Sequence, residues 1–508
     1  MRSVAATLVC AAAVAACTQA VYGPRLLAPT DAPDRQEAHG GLLKVHLNSG
    51  ELIVLSSWVQ RDATLAGDGT RYNLQREATH QAHYVLPLDS IALLEAEGRV
   101  GSRSSGLVGM VVWTTLWGVV TGACVADPKA CFGSCPTFYV ATDSGETLAA
   151  EGFSASIARA LEAKDLDALY AARAAGGAFT VRMRNEAWET HAVRSLAVLA
   201  APRPADGRVL VSADGHFYPA TRLRAPAACQ ADEGDCRVAL RAVDGTERKS
   251  PADSTDLAAQ ETLELTFPAA TGQLGLVLAA RQSLMSTYLF YQTMGFLGTK
   301  AGEALAALER GGHEVAGRAM GMARMIGRIE VVVWDGEEWT PIGVHDEAGP
   351  LATHFEVLPF KHDAPGPVRV RLTLTKGAWR LDWAALADLA EPVDAIVAEP
   401  ASVLREGIED SAALALLRDP EVHLVTYPGD TYEIVFNLPS PAGEWDVFLR
   451  SEGYYYEWMR SEWLGDENAK LAALALTDPA AALRIMAPGF TRAESEMEQI
   501  FWSSRFRR

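Results

Sequence analysis

Positive charge is scarce in this chain. Lys and Arg number 45 against 64 Asp and Glu, so the 508 residues carry a formal net charge of −19. No lysine-rich block offsets the deficit, which argues against broad electrostatic binding of nucleic acid or of an anionic membrane surface. Strong catalytic signatures are also missing: there is no GxSxG, HExxH, Walker loop, GxGxxG or CxxCH. No cofactor is therefore expected. Hydrophobic residues make up 49% and charged residues 21%, an ordinary globular balance, and the length exceeds what one core supports, so several domains are expected.

Cysteine is sparse and unevenly placed. Of seven, Cys10 and Cys17 lie at the N-terminus, where Arg2 precedes an apolar run from Val4 to Ala16 and Val14-Ala15-Ala16 leads straight into Cys17. That run is too short to span a bilayer as a mature helix and reads as a cleaved signal peptide of the lipoprotein type, with Cys17 acylated. An ordinary secretory signal with Cys17 incidental is the plainer alternative. Thr18 follows the cysteine where Asp would signal inner-membrane retention, so the usual Gram-negative sorting rule assigns the outer membrane. An exported protein favours disulfides. Cys229 and Cys236 bracket a short polar loop and are the best pair; Cys131 and Cys135 are a second candidate pair, with Cys124 an alternative partner for either. A zinc site from Cys124, Cys131 and Cys135 fits no standard spacing and lacks a nearby histidine.

Alternation and turn signals predict a mainly β chain with helical insertions (α+β). The expected order is a signal peptide at 1–16, a tether at 17–40 and a small SH3/Sm-like β-barrel at 41–103 that closes with a short helix ending at Glu97. A hydrophobic helix at 104–126, a β-sandwich-like domain at 127–280 and a helical segment at 281–327 follow. A second β-rich region with helical insertions occupies 328–458, and a helical tail 459–508. Within the barrel, Asp68-Gly69 reads as a hairpin turn, and His80 and His83 as surface residues on opposite strand faces. Further helices are expected near Ser154–Tyr170, Ser254–Gln260, Ala384–Leu389 and Ile408–Leu417. Asp335-Gly336 is a hairpin signal, and Asp478-Pro479 restarts a helix with proline in its first turn. Ser104 to Ala126 carries no charge and is long enough to cross a membrane. Against a span stand Trp113 and Trp117 near its middle and Arg99 and Arg103 on its upstream side, so a buried or interfacial helix is expected.

Three groups of residues are candidates for function. Asn185-Glu186-Ala187-Trp188-Glu189-Thr190-His191 gathers carboxylates and an imidazole; on a strand Glu189 and His191 share a face, so the carboxylate would orient the ring. Nothing near identifies a nucleophile, and polar residues joining a loop to a strand are the plainer account. Asp232, Asp235 and Asp244 lie in acidic loops that are calcium candidates, though without EF-hand spacing, and solvated turns are the plainer account. Tyr454, Tyr456 and Trp458 belong to the densest aromatic cluster, a candidate partner surface for protein or glycan, with a core role as the plainer account.

Several segments together resemble a family of bacterial envelope lipoproteins: Cys135-Pro136-Thr137-Phe138-Tyr139, Ala150-Glu151-Gly152-Phe153-Ser154, Asn185-Glu186-Ala187 with Glu189-Thr190-His191, Tyr427-Pro428-Gly429-Asp430, Gly453-Tyr454-Tyr455 with Glu457-Trp458, and Phe501-Trp502 with Ser504-Arg505. The resemblance spans roughly 40–508 and implies an exported β-rich protein; it brings no activity. The sequence is thus read as a lipid-anchored envelope protein of the outer membrane, on its periplasmic or its surface face, with a structural or protein/glycan-binding role and no nucleic-acid partner. The rival reading is an envelope hydrolase using Glu186, Glu189 and His191.

Overall fold

The computed structural model describes residues 18–104 and 136–504, apart from 36–37, 39–40, 48–50, 74–77, 144, 173–176, 188, 302–303, 306, 309–320, 347–348, 439–444 and 458–466. The signal peptide, Cys17, the apolar stretch from 105 on, Cys124, Cys131, Cys135, Trp188 and Trp458 therefore lie outside the described residues. Among the described residues, no helix is long and apolar enough to cross a membrane.

The chain is mainly β, arranged in antiparallel sheets, with five helices among the described residues. Its first six strands form one sheet in the order Thr18–Leu27, Ile91–Ser104, Leu43–Leu47, Leu52–Arg61, Thr64–Tyr72, Ala78–Pro87. Leu43, Val45, Ile53, Leu55, Leu65 and Leu94 alternate onto one buried face, as expected for an antiparallel sheet with one face covered. Three expectations are corrected here. The sheet is open, because among the described residues no ladder joins its edge strands Thr18–Leu27 and Ala78–Pro87 into a barrel. Part of the expected tether is an edge strand, and the remainder folds back, with the Trp58 indole N–H donating to the Pro33 carbonyl (2.7 Å). The expected terminal helix is a single 3-10 turn, Leu88–Ser90, leading into the long strand Ile91–Ser104.

Asp68-Gly69 is not a turn but lies inside the strand Thr64–Tyr72. A Cβ on Gly69 would stand 2.3 Å from the Val54 carbonyl oxygen, and one on Gly67 2.0 Å from that of Ser57. The glycines are there to admit a neighbouring backbone at the bulge between Leu55 and Ser57. The reversal occurs at Asp62, whose φ of 49° is left-handed. His80 and His83 are exposed, as expected.

The next two sheets face each other as a sandwich. One runs Ile408–Glu409, Pro400–Arg405, Thr431–Asn437, Ala178–Arg184, Thr137–Thr142, Gly145–Glu151. The other runs Ile396–Ala398, Glu189–Pro202, Trp445–Glu457, Ala163–Ala168, with Leu424–Thr426 paired alongside the second of these. Phe138, Val181, Ile434 and Phe436 from the first meet Val193, Leu196, Leu449 and Tyr455 from the second in one core. A second sandwich is built entirely from 207–389. Its sheets are Gly207–Val211, Phe217–Arg224, Trp379–Leu389, Gly272–Gln282, His354–His362, and Gly234–Asp235, Ala228–Ala231, Gln260–Ala269, Pro367–Thr375, Ile329–Trp334, Trp339–His345. The two β regions are therefore not consecutive, as expected from 127–280 and 328–458, but nested: the chain leaves the first sandwich after Pro202 and returns at Ile396.

The nesting is fixed by apolar and polar contacts. Phe448 of the first sandwich packs edge-on against Phe217 of the second (4.9 Å between centroids), with Leu199, Val209 and Val211 around them. Asp446 accepts from the Val209 N–H (2.6 Å) and from Arg203, and Tyr170 donates to the Val209 carbonyl (2.6 Å). Glu151 accepts from the backbone N–H groups of Leu351 (2.7 Å) and Ala352 (3.2 Å). The first sheet meets the first sandwich where the Tyr427 hydroxyl donates to the Leu47 carbonyl and its ring meets His46 edge-on at 5.8 Å.

Helices α1 (Met285–Leu297), α2 (Gly321–Ile326), α3 (Ser411–Arg418), α4 (Ala469–Thr477) and α5 (Pro479–Ser504) decorate this frame. Asp410 caps α3 by accepting from the Ala413 N–H, which moves its start past Ile408–Glu409. Asp478 accepts from the Ala481 N–H (3.1 Å) ahead of Pro479, the expected restart. Ala475, Leu483, Met486 and Phe490 of α4 and α5 join the core of the second sandwich with Tyr288 and Leu289 of α1. The helices expected at Ser154–Tyr170 and Ala384–Leu389 are absent: Ala163–Ala168 and Trp379–Leu389 are strands, and only the 3-10 turn Arg159–Leu161 remains of the former. Tertiary pairing overrides the helical preference of alanine-rich stretches. Ser254–Gln260 is likewise not helical but a turn held by Asp253 and Asp256. Asp335 and Gly336 close the hairpin expected of them, with Asp335 accepting from the Glu337 and Glu338 N–H groups.

Candidate functional site

Asn185 is where the catalytic candidates begin, and it is 2% exposed. Its side-chain amide donates to the Glu189 carbonyl (2.9 Å) and the Thr426 carbonyl (3.2 Å), while its Oδ1 accepts from the Ala187 N–H (3.3 Å). Its backbone N–H donates to the Asp430 carbonyl (3.0 Å), and its own carbonyl accepts from the Gly429 N–H (2.8 Å). Asn185 to His191 and Tyr427-Pro428-Gly429-Asp430 are thus one structural joint. Gly429 takes a φ of 93°, which a side chain would resist, and the Asp430 carboxylate accepts from the Tyr427 N–H (2.8 Å) to close the turn.

The three candidate catalytic side chains are drawn into that joint. Glu186 accepts from the hydroxyls of Thr137 (2.7 Å) and Tyr139 (2.7 Å) on the neighbouring strand. Burial, followed by the Glu186 charge, pushes the Tyr139 phenol upward. Glu189 Oε1 and His191 Nε2 are 3.0 Å apart on one strand face, the expected arrangement, yet both are 0% exposed. Burial lowers the His191 pKa to about 3 against the pull of Asp430 and Glu457, so the ring is neutral at physiological pH. It lies edge-on to Tyr455 (6.5 Å), facing the sandwich interior. Ser195 on the same strand donates instead to Glu452 (3.3 Å).

The other candidates are also consumed locally. Asp232 pairs with Lys376 (2.8 Å), Asp235 with Arg237, and Asp244 accepts from the Thr246 N–H (2.9 Å). These contacts lower all three pKa values. Among the described residues, no group of three or more His, Cys, Asp or Glu side chains is placed to hold a metal ion. The neighbouring loop is a structural strap: Arg248, 6% exposed, bridges Glu233 and Glu261, and Arg281 forks onto Glu247. Cys229 and Cys236 form the expected disulfide.

Tyr454 and Tyr456 do share a face, opposite to Tyr455, but all three are buried, so the tyrosines offer no partner surface. Tyr454 packs edge-on against Tyr456 and His423, each at 5.2 Å.

Two clusters escaped the sequence reading because their members lie far apart along the chain. At the seam of the sandwiches, His354 Nδ1 is 3.2 Å from Asp167, His345 pairs with Glu356, and the two imidazoles lie 5.7 Å apart. Between α1, α2 and the edge of the first sandwich lies a cavity of about 450 Å³. The uncharged composition of Ser283 to Thr299 was the one available signal, and it reads equally as an ordinary buried helix.

No family model matches the chain, and no curated protein does. Among solved structures, a GH31 alpha-xylosidase from Xanthomonas citri is similar over 86% of this chain at 9% identity with a TM-score of 0.16; the match spans 38% of that protein. The secreted serine protease VesC from Vibrio cholerae is similar over 74% of this chain and 98% of its own length, at 7% identity and a TM-score of 0.14. Likenesses this low carry no argument about fold or activity.

Proposed function

We propose that the chain is a lipid-anchored protein of the cell envelope, attached through an acylated Cys17 at the outer membrane, that has a structural or binding role toward a protein or glycan and no catalytic activity of its own. The observation that carries the reading is the burial of Glu189 and His191 within the joint made with Tyr427 to Asp430, which turns the best enzymatic constellation into architecture. The Cys229–Cys236 disulfide supports an oxidising compartment. A hydrolase using Glu186, Glu189 and His191 would need these groups to meet a substrate.

The test is fractionation of cells producing the parent and Cys17→Ser chains. The parent is expected in the carbonate-washed membrane pellet and Cys17→Ser in the soluble envelope fraction. Retention of Cys17→Ser in the washed pellet overturns the anchor. Crosslinking in intact cells followed by purification is expected to yield a discrete envelope partner, whereas turnover of peptidoglycan or glycan substrates that is lost in Glu189→Gln overturns the non-enzymatic reading.

A further inference from the structure

The cavity beside α1 differs from the interior around it in one respect. Phe290, Tyr291, Met294, Leu305, Leu308 and Ile157 give it an apolar wall, as packing would. Gln282 also lines it and is 3% exposed, a polar amide set among apolar neighbours. The volume of about 450 Å³ falls in the range of small-molecule sites, which are apolar with a few convergent polar groups.

Charge narrows the ligand. Glu457, 3% exposed, is the one residue among the described lining that bears a formal charge, and the Tyr291 hydroxyl donates to it (3.3 Å). Among the described residues, no Lys, Arg or His lines the cavity to receive an anion. A carboxylate or phosphate head would be desolvated beside a like charge, which is strongly unfavourable. A hydroxyl or amide head can both donate and accept with Gln282.

We propose that this cavity is a binding site for a neutral amphiphile, a hydrocarbon body ending in a hydroxyl or amide group, with the head on Gln282 and the chain against the wall formed by α1 and the helical residues that follow it. The site is independent of the anchor and of the partner proposed above.

The experiment uses the full chain carrying Cys17→Ser, purified without detergent, and the fluorescence of N-phenyl-1-naphthylamine as the reporter. Saturable enhancement at about one probe per chain is expected. Decanol should displace the probe at a concentration at least tenfold lower than decanoate at pH 8. Ala304→Trp, which projects an indole into the cavity from a partly exposed position, should weaken probe binding at least tenfold with an unchanged melting temperature. Gln282→Leu should weaken decanol several-fold while leaving the probe bound, and it decides the matter if Ala304→Trp does not fold. Absence of saturable binding, equal displacement by decanoate, or parental behaviour of both variants overturns the proposal.

Discussion

Replacing Asn185 by Ala tests whether the segment from Asn185 to His191 is architecture. The substitution removes the side-chain hydrogen bonds to the Glu189 carbonyl, to the Thr426 carbonyl and hydroxyl and from the Ala187 N–H, in a place 2% exposed. Each such bond contributes about 1 kcal/mol net, and each buried group left unsatisfied costs about 1–3 kcal/mol, although carbonyls retain a second acceptor site. The loss should be about 3 kcal/mol. With a urea dependence of about 3 kcal/mol per molar for a domain of this size, the midpoint should fall by about 1 M. Equilibrium urea unfolding followed by tryptophan fluorescence reads this directly, since Trp445 starts the strand paired with Glu189–Pro202. The loss belongs to the first sandwich; if the sandwiches unfold separately, the transition of the second should stay in place. A midpoint within about 0.2 M of the parent would refute the reasoning, and lost hydrolytic activity at an unchanged midpoint would restore the catalytic reading.

A Cβ at Gly349 would lie 2.3–2.5 Å from the Glu151 carboxylate that accepts from Leu351 and Ala352, so Gly349→Ala should cost about 1–3 kcal/mol and speed limited proteolysis at the seam of the sandwiches; unchanged digestion counts against the contact. Reduction of Cys229–Cys236, or Cys229→Ala with Cys236→Ala, should cost about 2.5 kcal/mol from the short loop it closes, read as a lower melting temperature, and a stable reduced protein would contradict that. Burial works against the charged form of His354, but Asp167 and Glu356 outweigh it and raise its pKa. A pKa raised on folding stabilises below the unfolded value of about 6.5 and is lost as pH climbs through the higher folded one. The parent should therefore lose stability relative to His354→Gln as pH rises above about 6.5, and parallel pH profiles would show that the pair contributes nothing.

Much of the β content was legible because alternation with period two survives wherever one face of a strand is buried, as at Leu43, Val45, Ile53 and Leu55. The hairpin at Asp335-Gly336, the restart at Asp478-Pro479, the disulfide and the shared face of Glu189 and His191 are local features whose chemistry spans only a few residues. Asp68-Gly69 misled because the same dipeptide serves a turn and a close crossing of strands, and only the approach of the Val54 carbonyl distinguishes them. Ala384 to Leu389 and the segment before Tyr170 read as helix because alanine-rich propensity is a weak preference that ladder hydrogen bonds override.

Of the candidate site, the sequence by itself determined which residue types stood together and that Glu189 could meet His191. Tertiary structure decided that the pair is enclosed, since the turn at Tyr427 to Asp430 lies more than two hundred residues downstream and folds onto Asn185. It also decided the nesting of one sandwich within the other, and with it the seam at His354 and the cavity at Gln282. Burial depends on what long-range pairing brings alongside a side chain, and no local pattern records that.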